Sequence, residues 1–298
     1  MGNQAIELSN LTKTYGKSRG IENVTLTINN GEVFGFLGPN GAGKTTTIRI
    51  IMDFIRPSSG SARVFGLNSV ADSPKIKTKV GYLAGDVSLY GYMTGRQLVG
   101  YLSALNHGFK EKEFDRLSKV FKAELDRPIK NLSKGNKQKI GLIQVLISKP
   151  DLIIFDEPTS GLDPFIQQSL YDEIQKIKDD GRTVFMSSHN LEEVQRTCDR
   201  AGFIKEGKII TVEALKDMRK LHLKRYHIKF AHDVLPTDFQ KVKNVEKVEG
   251  LEEDTIAVRL TGSINPLIQK LSDYTVDSIT EQKTSLEEVF FHYYKGGK

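Results

Sequence analysis

The residues with the most specific chemistry form one run, Gly38-Pro39-Asn40-Gly41-Ala42-Gly43-Lys44-Thr45, which Thr46 follows. The run matches G-x-x-x-x-G-K-[ST], the phosphate-binding loop. Its glycines let successive backbone N–H groups curve around a polyanion, and the helix after it points its positive N-terminus at the same phosphates. Lys44 is expected to reach the β- and γ-phosphates, and the Thr45 hydroxyl is expected to ligate Mg²⁺. The alternative is a glycine turn that binds nothing.

A pair of adjacent acids could complete a metal site. Asp156 and Glu157 directly follow the apolar run Leu152–Phe155, which reads as a buried parallel strand. Ligands bind at the carboxyl ends of such strands. We expect Asp156 to hold Mg²⁺, directly or through water, and Glu157 to polarise an attacking water. A solvated acidic turn is the alternative, and the presence of Lys44 and Thr45 elsewhere in the chain argues against it.

The elements that position these residues alternate between strand and helix. The apolar patterns predict strands and helices at Glu32–Leu37 (strand), Thr45–Ile55 (helix), Leu152–Phe155 (strand), Phe165–Ile177 (helix) and Thr183–Met186 (strand). Such alternation is typical of parallel βαβ units, so the fold class is α/β. The segment Gln97–Lys139 is charged and helix-rich, which predicts a helical insertion within the sheet domain, at about residues 86–140.

The pattern changes near Leu221, which divides the chain into predicted domains 1–220 and 221–298. The second domain is predicted to be a small α+β, ferredoxin-like unit of order β-α-β-β-α-β. Its predicted elements are Tyr226–Phe230, a helix near Thr237–Val242, Val245–Glu249, Thr255–Leu260, a helix at Asn265–Leu271, and Thr275–Ile279. The closing segment, residues 285–294, has Ser285 and Glu288 at capping-box spacing. We do not expect His222, His227 and His232 to bind metal, because no cysteine and few acids accompany them.

The composition limits the cellular compartments and the kinds of protein to which this chain can belong. The chain has 298 residues, 38% of them hydrophobic, a net charge of +6, and a single cysteine, Cys198, which fits a reducing compartment. No run approaches the roughly 18 apolar residues of a membrane span. The first ten residues have no apolar signal core. If the protein works at a membrane, we therefore expect another chain to supply the membrane part.

Four further segments carry a family resemblance over about residues 5–215. Residues 156–163 (DEPTSGLD) resemble the Walker B motif and D-loop of ABC ATPases, and Ser187-Ser188-His189 resembles their switch-histidine segment. Residues 132–138 (LSKGNKQ) resemble their signature segment, usually Leu-Ser-Gly-Gly-Gln. Tyr15 stands where the family stacks an aromatic ring on adenine.

The resemblance implies ATP and Mg²⁺ as cofactors and two ATPase domains that face each other head to tail. Ser133 and Gly135 would then contact the γ-phosphate bound by the opposite subunit, and Asp163 would cross the interface. His189 would sense the γ-phosphate, beside Glu157. The partner ATPase is either a second copy of this chain or another ABC ATPase.

Two segments depart from the family pattern. The signature has Lys134 and Asn136 where Gly and Gln are usual. After Leu83, where the family usually has Pro and Gln, stand Ala84 and Gly85. A glycine has no side chain to ligate Mg²⁺, so Asp86 is a hypothetical replacement.

With the closing SLEEVF, these departures resemble the ATPase subunits of ABC-2-type exporters, which pair with separate permeases and export drugs, peptides or polymers. That implies a peripheral protein on the cytoplasmic face of a bacterial membrane. A permease groove would involve Phe54, Leu89, Tyr90, Tyr92, Leu98 and Tyr101, for which plain core packing is the alternative.

A soluble ABC-type ATPase that acts on nucleic acid or ribosomes is a second hypothesis for the function. One phosphate loop and no sustained heptads count against it, so no nucleic acid is expected. A nucleotide-regulated module with little turnover is a third, and Glu157 and His189 count against that one.

Overall fold

The computed structural model describes residues 4–16, 18–106, 109–216, 224–252 and 254–282. The chain divides into two compact units, Met1–Val212 and Glu213–Lys298. The boundary predicted after residue 220 falls within 217–223, outside the described residues. The capping-box segment at 285–294 and His222 also lie outside them.

The strands of the first unit form two sheets. They are β1 (Gln4–Tyr15), β2 (Ser18–Asn29), β3 (Val33–Leu37), β4 (Ser59–Val64), β5 (Leu67–Asn68), β6 (Val80–Leu83), β7 (Leu152–Asp156), β8 (Thr183–Ser188), β9 (Arg200–Lys205) and β10 (Lys208–Ala214). One sheet has the order β2-β1-β4-β5 with antiparallel pairing. The other has the order β10-β9-β3-β8-β7-β6.

The second sheet is the one that presents the predicted site. Its pairings β9–β3, β3–β8, β8–β7 and β7–β6 are parallel. Every residue of β3 and of β7 is buried, as expected for strands covered on both faces. The predicted strands at Glu32–Leu37, Leu152–Phe155 and Thr183–Met186 are confirmed, each within one or two residues. Their carboxyl ends therefore meet at one edge of the sheet.

The helices of this unit lie between its strands. They are α1 (Lys44–Ile51), α2 (Ser73–Lys77), α3 (Gly95–Asn106), α4 (Glu111–Phe121), α5 (Lys134–Ile147), α6 (Pro164–Asp179) and α7 (Leu191–Thr197), with a 3-10 turn at Ile129–Asn131. The prediction that α1 reaches Ile55 is wrong. The helix stops four residues earlier because Asp53 takes a left-handed conformation, with φ 56°, which ends helices.

The helical insertion comprises α3, α4 and the first part of α5, as the charged pattern predicts. Arg116 of α4 ties it to the sheet domain, donating from both terminal nitrogens to the carboxylate of Glu173 in α6 at 2.7 Å each. This two-pronged ion pair is directional, and Glu173 is buried, so the contact fixes where α4 lies on α6. Helix α5 then runs on past the predicted insertion and leads into β7.

The second unit contains β11 (Lys224–Phe230), β12 (Val245–Glu252), β13 (Thr255–Leu260), α8 (Asn265–Leu271) and β14 (Val276–Gln282). The sheet order is β12-β13-β11-β14 and all three pairings are antiparallel. The four strands and α8 match the prediction, but the helix expected at Thr237–Val242 is wrong. A single 3-10 turn, Pro236–Asp238, stands there and delivers the buried Phe239 onto the rings of Phe230 and Tyr274. The ferredoxin-like description therefore stays a prediction.

Among the described residues, no helix is both long enough and apolar enough to cross a membrane.

Candidate functional site

The phosphate loop connects β3 to α1 at the carboxyl edge of the parallel sheet. The Gly38 N–H donates to the Ser188 carbonyl at 3.2 Å, which fixes the start of the loop to the end of β8. Gly43 has φ 109°, and a Cβ there would lie 2.6 Å from Cγ2 of Ile21. Only glycine fits such a position without strain. The loop therefore delivers Lys44 to the first position of α1 with its backbone N–H groups available.

Lys44 is almost fully buried, with 5% of its side chain exposed. Its Nζ donates to the carbonyls of Gly38 at 2.7 Å and Pro39 at 3.1 Å, and it lies 3.2 Å from Oε1 of Glu157. The loop therefore wraps around its own ammonium group. A phosphate oxygen is a stronger acceptor for that group than either carbonyl, because it is charged.

The predicted metal ligands meet. The Thr45 hydroxyl donates to Oδ2 of Asp156 at 2.8 Å, and the Ser187 hydroxyl donates to Oδ1 at 2.6 Å. Hydroxyl and carboxylate oxygens are the donors that Mg²⁺ prefers, so this pair fits Mg²⁺. Burial, and then the Asp156 charge, raises the pKa of Tyr82 to about 12, which keeps this phenol neutral beside the carboxylate.

The backbone turns at Glu157, directly after β7, and the Glu157 side chain contacts two other predicted residues, Lys44 and His189. Its φ is 51°, a left-handed conformation that costs a non-glycine residue about 1–3 kcal/mol. Its N–H donates to the hydroxyl of Ser187 at 3.0 Å and to the Ser187 carbonyl at 3.2 Å, which holds the turn. Oε2 of Glu157 lies 3.2 Å from Nδ1 of His189. One carboxylate therefore faces Lys44 on one side and His189 on the other.

The predicted adenine-stacking residue, Tyr15, ends β1 and is 45% exposed. The ammonium group of Lys13 lies over the Tyr15 ring, 5.4 Å from the ring centre. The Cδ2 atom of Tyr15 would be 3.2 Å from a Cβ at Gly20, and Gly20 lines the same pocket as Asn40, Gly41, Lys44, Thr45, Thr46 and Glu157. Tyr15 therefore lies beside Gly20, a residue of the cavity that the phosphate loop lines.

The signature and D-loop residues form a separate group, which we call the signature edge: Ser133, Lys134, Gly135, Gly161 and Asp163. A Cβ at Gly135 would lie 2.5 Å from the Gly161 carbonyl, so the two segments touch backbone to backbone. The Ser133 hydroxyl caps α5 by accepting from the N–H of Asn136 at 3.2 Å. The described contacts do not join Ser133, Gly135 or Asp163 to the phosphate loop.

A phosphate loop, a Walker-type acid pair, a switch histidine and a signature edge now stand in one unit. A family model described as "ABC transporter" matches residues 21–160. The chain is 31% identical to the ABC transporter ATP-binding protein YhcH of Bacillus subtilis (strain 168), over 96% of this chain and 94% of that protein. It belongs to the ABC transporter ATP-binding family. It is therefore an ABC-type ATPase that binds and hydrolyses ATP.

Two further comparisons agree with this family. The bacitracin transport ATP-binding protein BcrA of Bacillus licheniformis is 29% identical over 98% of both chains. The dimeric ATP-binding cassette MJ0796, solved in a post-hydrolysis state with ADP and Pi, is similar with a TM-score of 0.65 and 25% identity. It covers 70% of this chain and 98% of its own, which fits an ATPase unit followed by additional sequence.

The departures from the ABC signature have different consequences. Asn136 is structural, because its Oδ1 accepts from the Glu124 N–H at 2.8 Å and its Nδ2 donates to the Glu124 carbonyl at 2.7 Å. These two hydrogen bonds hold the signature segment against the loop after α4. Lys134 is exposed, and no ion pair joins it to any part of the chain that the structure describes. Its charge is therefore available at the signature edge.

After β6, Gly85 packs against Asp156. A Cβ there would lie 3.1 Å from the Asp156 carbonyl and 3.7 Å from Oδ2 of Asp156. Asp86 is exposed, and no hydrogen bond or ion pair within the described ranges connects it to Asp156. Its role as a metal ligand stays a prediction.

The aromatic cluster divides into surface and core. Four of its members are exposed by half or more: Phe54, Tyr90, Tyr92 and Tyr101. We call these four the aromatic surface. The inclusion of Leu98 is wrong, because it is 1% exposed and belongs to the core. It lies on the buried face of α3, which sequence periodicity did not separate from the exposed face.

Sequence reasoning missed two polar residues that hold the site. The sequence marks Ser187 only as part of the switch-histidine segment, yet Ser187 bonds Asp156 and supports the Glu157 turn. Glu193 is an acid in the first turn of α7, a position usually explained by the helix dipole, but it is buried and bonds Ser188. The doubled serine before His189 was the available signal for the first, and burial of Glu193 left no signal in the sequence.

Proposed function

We propose that this ATPase powers a membrane exporter whose permease is a separate chain, and that it works on the cytoplasmic face of a bacterial membrane. The name of its relative BcrA, a bacitracin transport ATP-binding protein, supports a transport role and a drug-like or amphipathic peptide cargo. The observation that carries the catalytic part is the continuous set of contacts from Lys44 through Glu157 to His189, beside the Thr45–Asp156 pair.

In this proposal each residue of the pocket has one task. Lys44 and the backbone N–H groups of Gly38–Thr46 bind the phosphates, and Tyr15 stacks on the base. Thr45 and Asp156 hold Mg²⁺, which when bound supplies positive charge against the phosphate oxygens. Ser187 keeps the Asp156 carboxylate oriented, so that the Thr45 hydroxyl and this carboxylate face the same point.

Glu157 is the residue that we expect to orient and deprotonate the attacking water. Its carboxylate is partly exposed to the pocket and is held by Lys44 and His189, so it need not reorganise when water arrives. His189 is 59% exposed and lies 3.2 Å from Glu157, and we expect it to contact the γ-phosphate. Positioning and charge stabilisation of this kind account for most catalysis in phosphoryl transfer.

A second ATPase chain completes the site in this proposal. Ser133 and Lys134 are exposed and are separate from the phosphate loop of their own chain, which supports a role toward a nucleotide on another chain. The similar cassette MJ0796 is dimeric in its post-hydrolysis state, which supports such pairing. The second chain is either a copy of this one or another ABC ATPase, with Asp163 at the interface.

The aromatic surface is the proposed contact with the permease. Tyr90 and Tyr92 are 62% and 89% exposed, values at which single aromatic rings gain much by burial against a partner. Phe54, whose ring lies 5.4 Å from that of Tyr82, connects this surface to the strand that ends beside Asp156. In this proposal, movement of the permease is transmitted through Phe54 and Tyr82 to Asp156.

Affinity purification from mild-detergent extracts of the native host tests this function. The expected result is an integral membrane chain at near-equal stoichiometry with the tagged ATPase. The double variant Tyr90→Ala/Tyr92→Ala should lose that chain while its own ATPase activity persists. Leu235→Ala, a similarly exposed apolar residue in the second unit, is the matched control. Recovery of ribosomes or nucleic acid, or of soluble protein only, would overturn the transport role and leave the ATPase assignment in place.

A further inference from the structure

Glu193 is a buried acid that the proposed mechanism does not use. It lies in the first turn of α7 and is 3% exposed. Its Oε2 accepts a 2.5 Å hydrogen bond from the Ser188 hydroxyl. Its Oε1 is also buried and has no hydrogen-bond partner among the described residues. A buried carboxyl group with one oxygen unsatisfied needs an explanation, because such a group is costly.

Ser188, the partner of Glu193, is a junction between three parts of the site. Its carbonyl accepts from the N–H of Gly38, the first residue of the phosphate loop, at 3.2 Å. Its hydroxyl accepts from the N–H of Asn190, the N-cap of α7, at 2.9 Å. His189 is the residue between Ser188 and Asn190 in the sequence. A change in the position of Ser188 therefore moves both the start of the phosphate loop and His189.

No cation faces Glu193 among the residues that the structure describes. The ionisable groups toward it are Glu157 after β7, Tyr171 of α6 and Cys198 at the end of α7, all of them acids. Arg196 of the same helix is placed over the ring of Tyr171, 5.3 Å from its centre. Burial, and to a smaller extent Glu157, raises the pKa of Glu193 to about 7, although the hydroxyls of Ser188 and Thr159 oppose the rise. Near neutral pH the neutral acid is thus well populated.

We propose that Glu193 is a positioning residue for ATP hydrolysis, and that its neutral form holds Ser188 and through it His189 and the start of the phosphate loop. In the ionised form, a carboxylate without a cation would be buried near Glu157. The Ser188 hydroxyl bonds a carboxylate more strongly than a neutral acid, but the cost of burying the charge outweighs this gain. The charge therefore favours opening of the first turn of α7 toward solvent, which releases Ser188. The inference rests on the role proposed above for His189.

The first test is the pH dependence of kcat for the full chain with Mg-ATP. Glu193→Gln keeps the shape of the neutral acid and does not ionise. The ratio of wild-type kcat to Glu193→Gln kcat should fall about fivefold to tenfold between about pH 6 and about pH 8, following loss of the proton. Glu192→Gln, the same change at the exposed neighbouring residue, should leave the wild-type profile unchanged. Parallel profiles for wild type and Glu193→Gln would overturn the proposal.

A double-mutant cycle shows whether Glu193 acts through Ser188. Glu193→Ala and Ser188→Ala should each lower kcat about tenfold with KM for ATP changed less than about twofold, and together they should cost little more than either alone. Additive losses would contradict action through Ser188. His189→Ala is the separate check on the proposed function. If it leaves kcat unchanged, the role of His189 fails. If it lowers kcat while Glu193→Ala does not, only the present inference fails.

Thermal unfolding without nucleotide gives a readout that does not depend on turnover. Because the folded state holds the Glu193 proton more tightly than the unfolded chain, wild type loses stability as pH rises from the ordinary glutamate range to about 7. Glu193→Gln avoids this loss, so its Tm relative to wild type should be higher at about pH 8 than at about pH 5. An equal difference at both pH values would show that Glu193 does not carry this proton.

Discussion

The phosphate-loop pocket and the signature edge contain similarly specific sequence motifs, but they differ in how completely one chain connects them. In the pocket, Lys44, Glu157 and His189 bond in series, and Thr45 and Asp156 bond beside them. The predicted catalytic groups of the pocket are therefore in contact within one chain. At the signature edge, Ser133 and Asp163 cap their own helices, and Lys134 is exposed and has no ion-pair partner among the described residues.

This difference predicts which variants act within one chain and which act between two. Changes at the pocket residues that are expected to bind the nucleotide should alter binding of ATP even where no second chain is bound. Changes at the signature edge should act only through ATP-dependent pairing. The four predictions that follow run from the largest expected effect to the smallest.

Glu157→Gln should have the largest effect. The amide keeps the shape of the side chain but cannot accept a proton, so kcat should fall about 10²- to 10⁴-fold. Equilibrium binding of ATP should persist because the phosphate loop is intact. Steady-state phosphate release and binding of a fluorescent ATP analogue measure the two quantities. A comparable loss of ATP affinity would mean that Glu157 mainly holds Lys44, with which it pairs at 3.2 Å.

Ser133→Asp should weaken dimerisation through the signature edge without changing ATP binding in the pocket. Aspartate caps a helix as well as serine does, so α5 should keep its stability. Its charge would oppose a γ-phosphate presented by another chain, and ATP-dependent dimerisation should weaken by about 100-fold. Sedimentation of the hydrolysis-deficient Glu157→Gln background with ATP measures the dimer. The same chain should bind ATP with unchanged affinity. Full dimerisation would refute the proposed role of the signature edge.

Tyr15→Ala should lower ATP affinity by about tenfold, because stacking of a base on an aromatic ring contributes about 1–3 kcal/mol. Tyr15→Phe retains the ring and should bind ATP as wild type does. Competition between ATP and inorganic triphosphate separates base binding from phosphate binding. Only the affinity for ATP should change. An equal effect on triphosphate would place Tyr15 in the structure of the loop and not at the base.

Lys134→Gln should have the smallest effect. Removing one exposed charge near a polyanion should weaken ATP-dependent pairing by about twofold to fivefold, and the loss should diminish at high salt. Lys137→Gln, the same change one turn further along α5, is the matched control. Dimerisation at low and high salt measures both. An effect that does not depend on salt would show that Lys134 acts by contact and not by charge.

The motifs and the local elements were readable from the sequence. Spacing alone located the phosphate loop, because a glycine-rich run with Lys44 and Thr45 has few other uses between a strand and a helix. The all-apolar runs of β3 and β7 likewise determined buried parallel strands. The second unit was predicted in its strands and in α8, since alternation and turns mark these locally.

Two kinds of error arose. The end of α1 depends on a local backbone feature, the left-handed Asp53. The other two errors depend on long-range packing: Leu98 belongs to the core, and the helix expected near Thr237 gave way to burial of Phe239 against two rings. In these two cases packing across the fold outweighed the local pattern.

The sequence by itself determined the family and the nucleotide, and it predicted the residues that bind the nucleotide, because such residues must stand at fixed spacings around one polyanion. Only the tertiary structure decided that Ser187 bonds Asp156 and Ser188 bonds the phosphate loop, that Glu193 is buried, and that Gly85 packs against Asp156. These contacts join residues far apart in the chain, across the carboxyl edge of a parallel sheet. Burial and hydrogen bonding there depend on the packed strands and helices, and no local spacing records them.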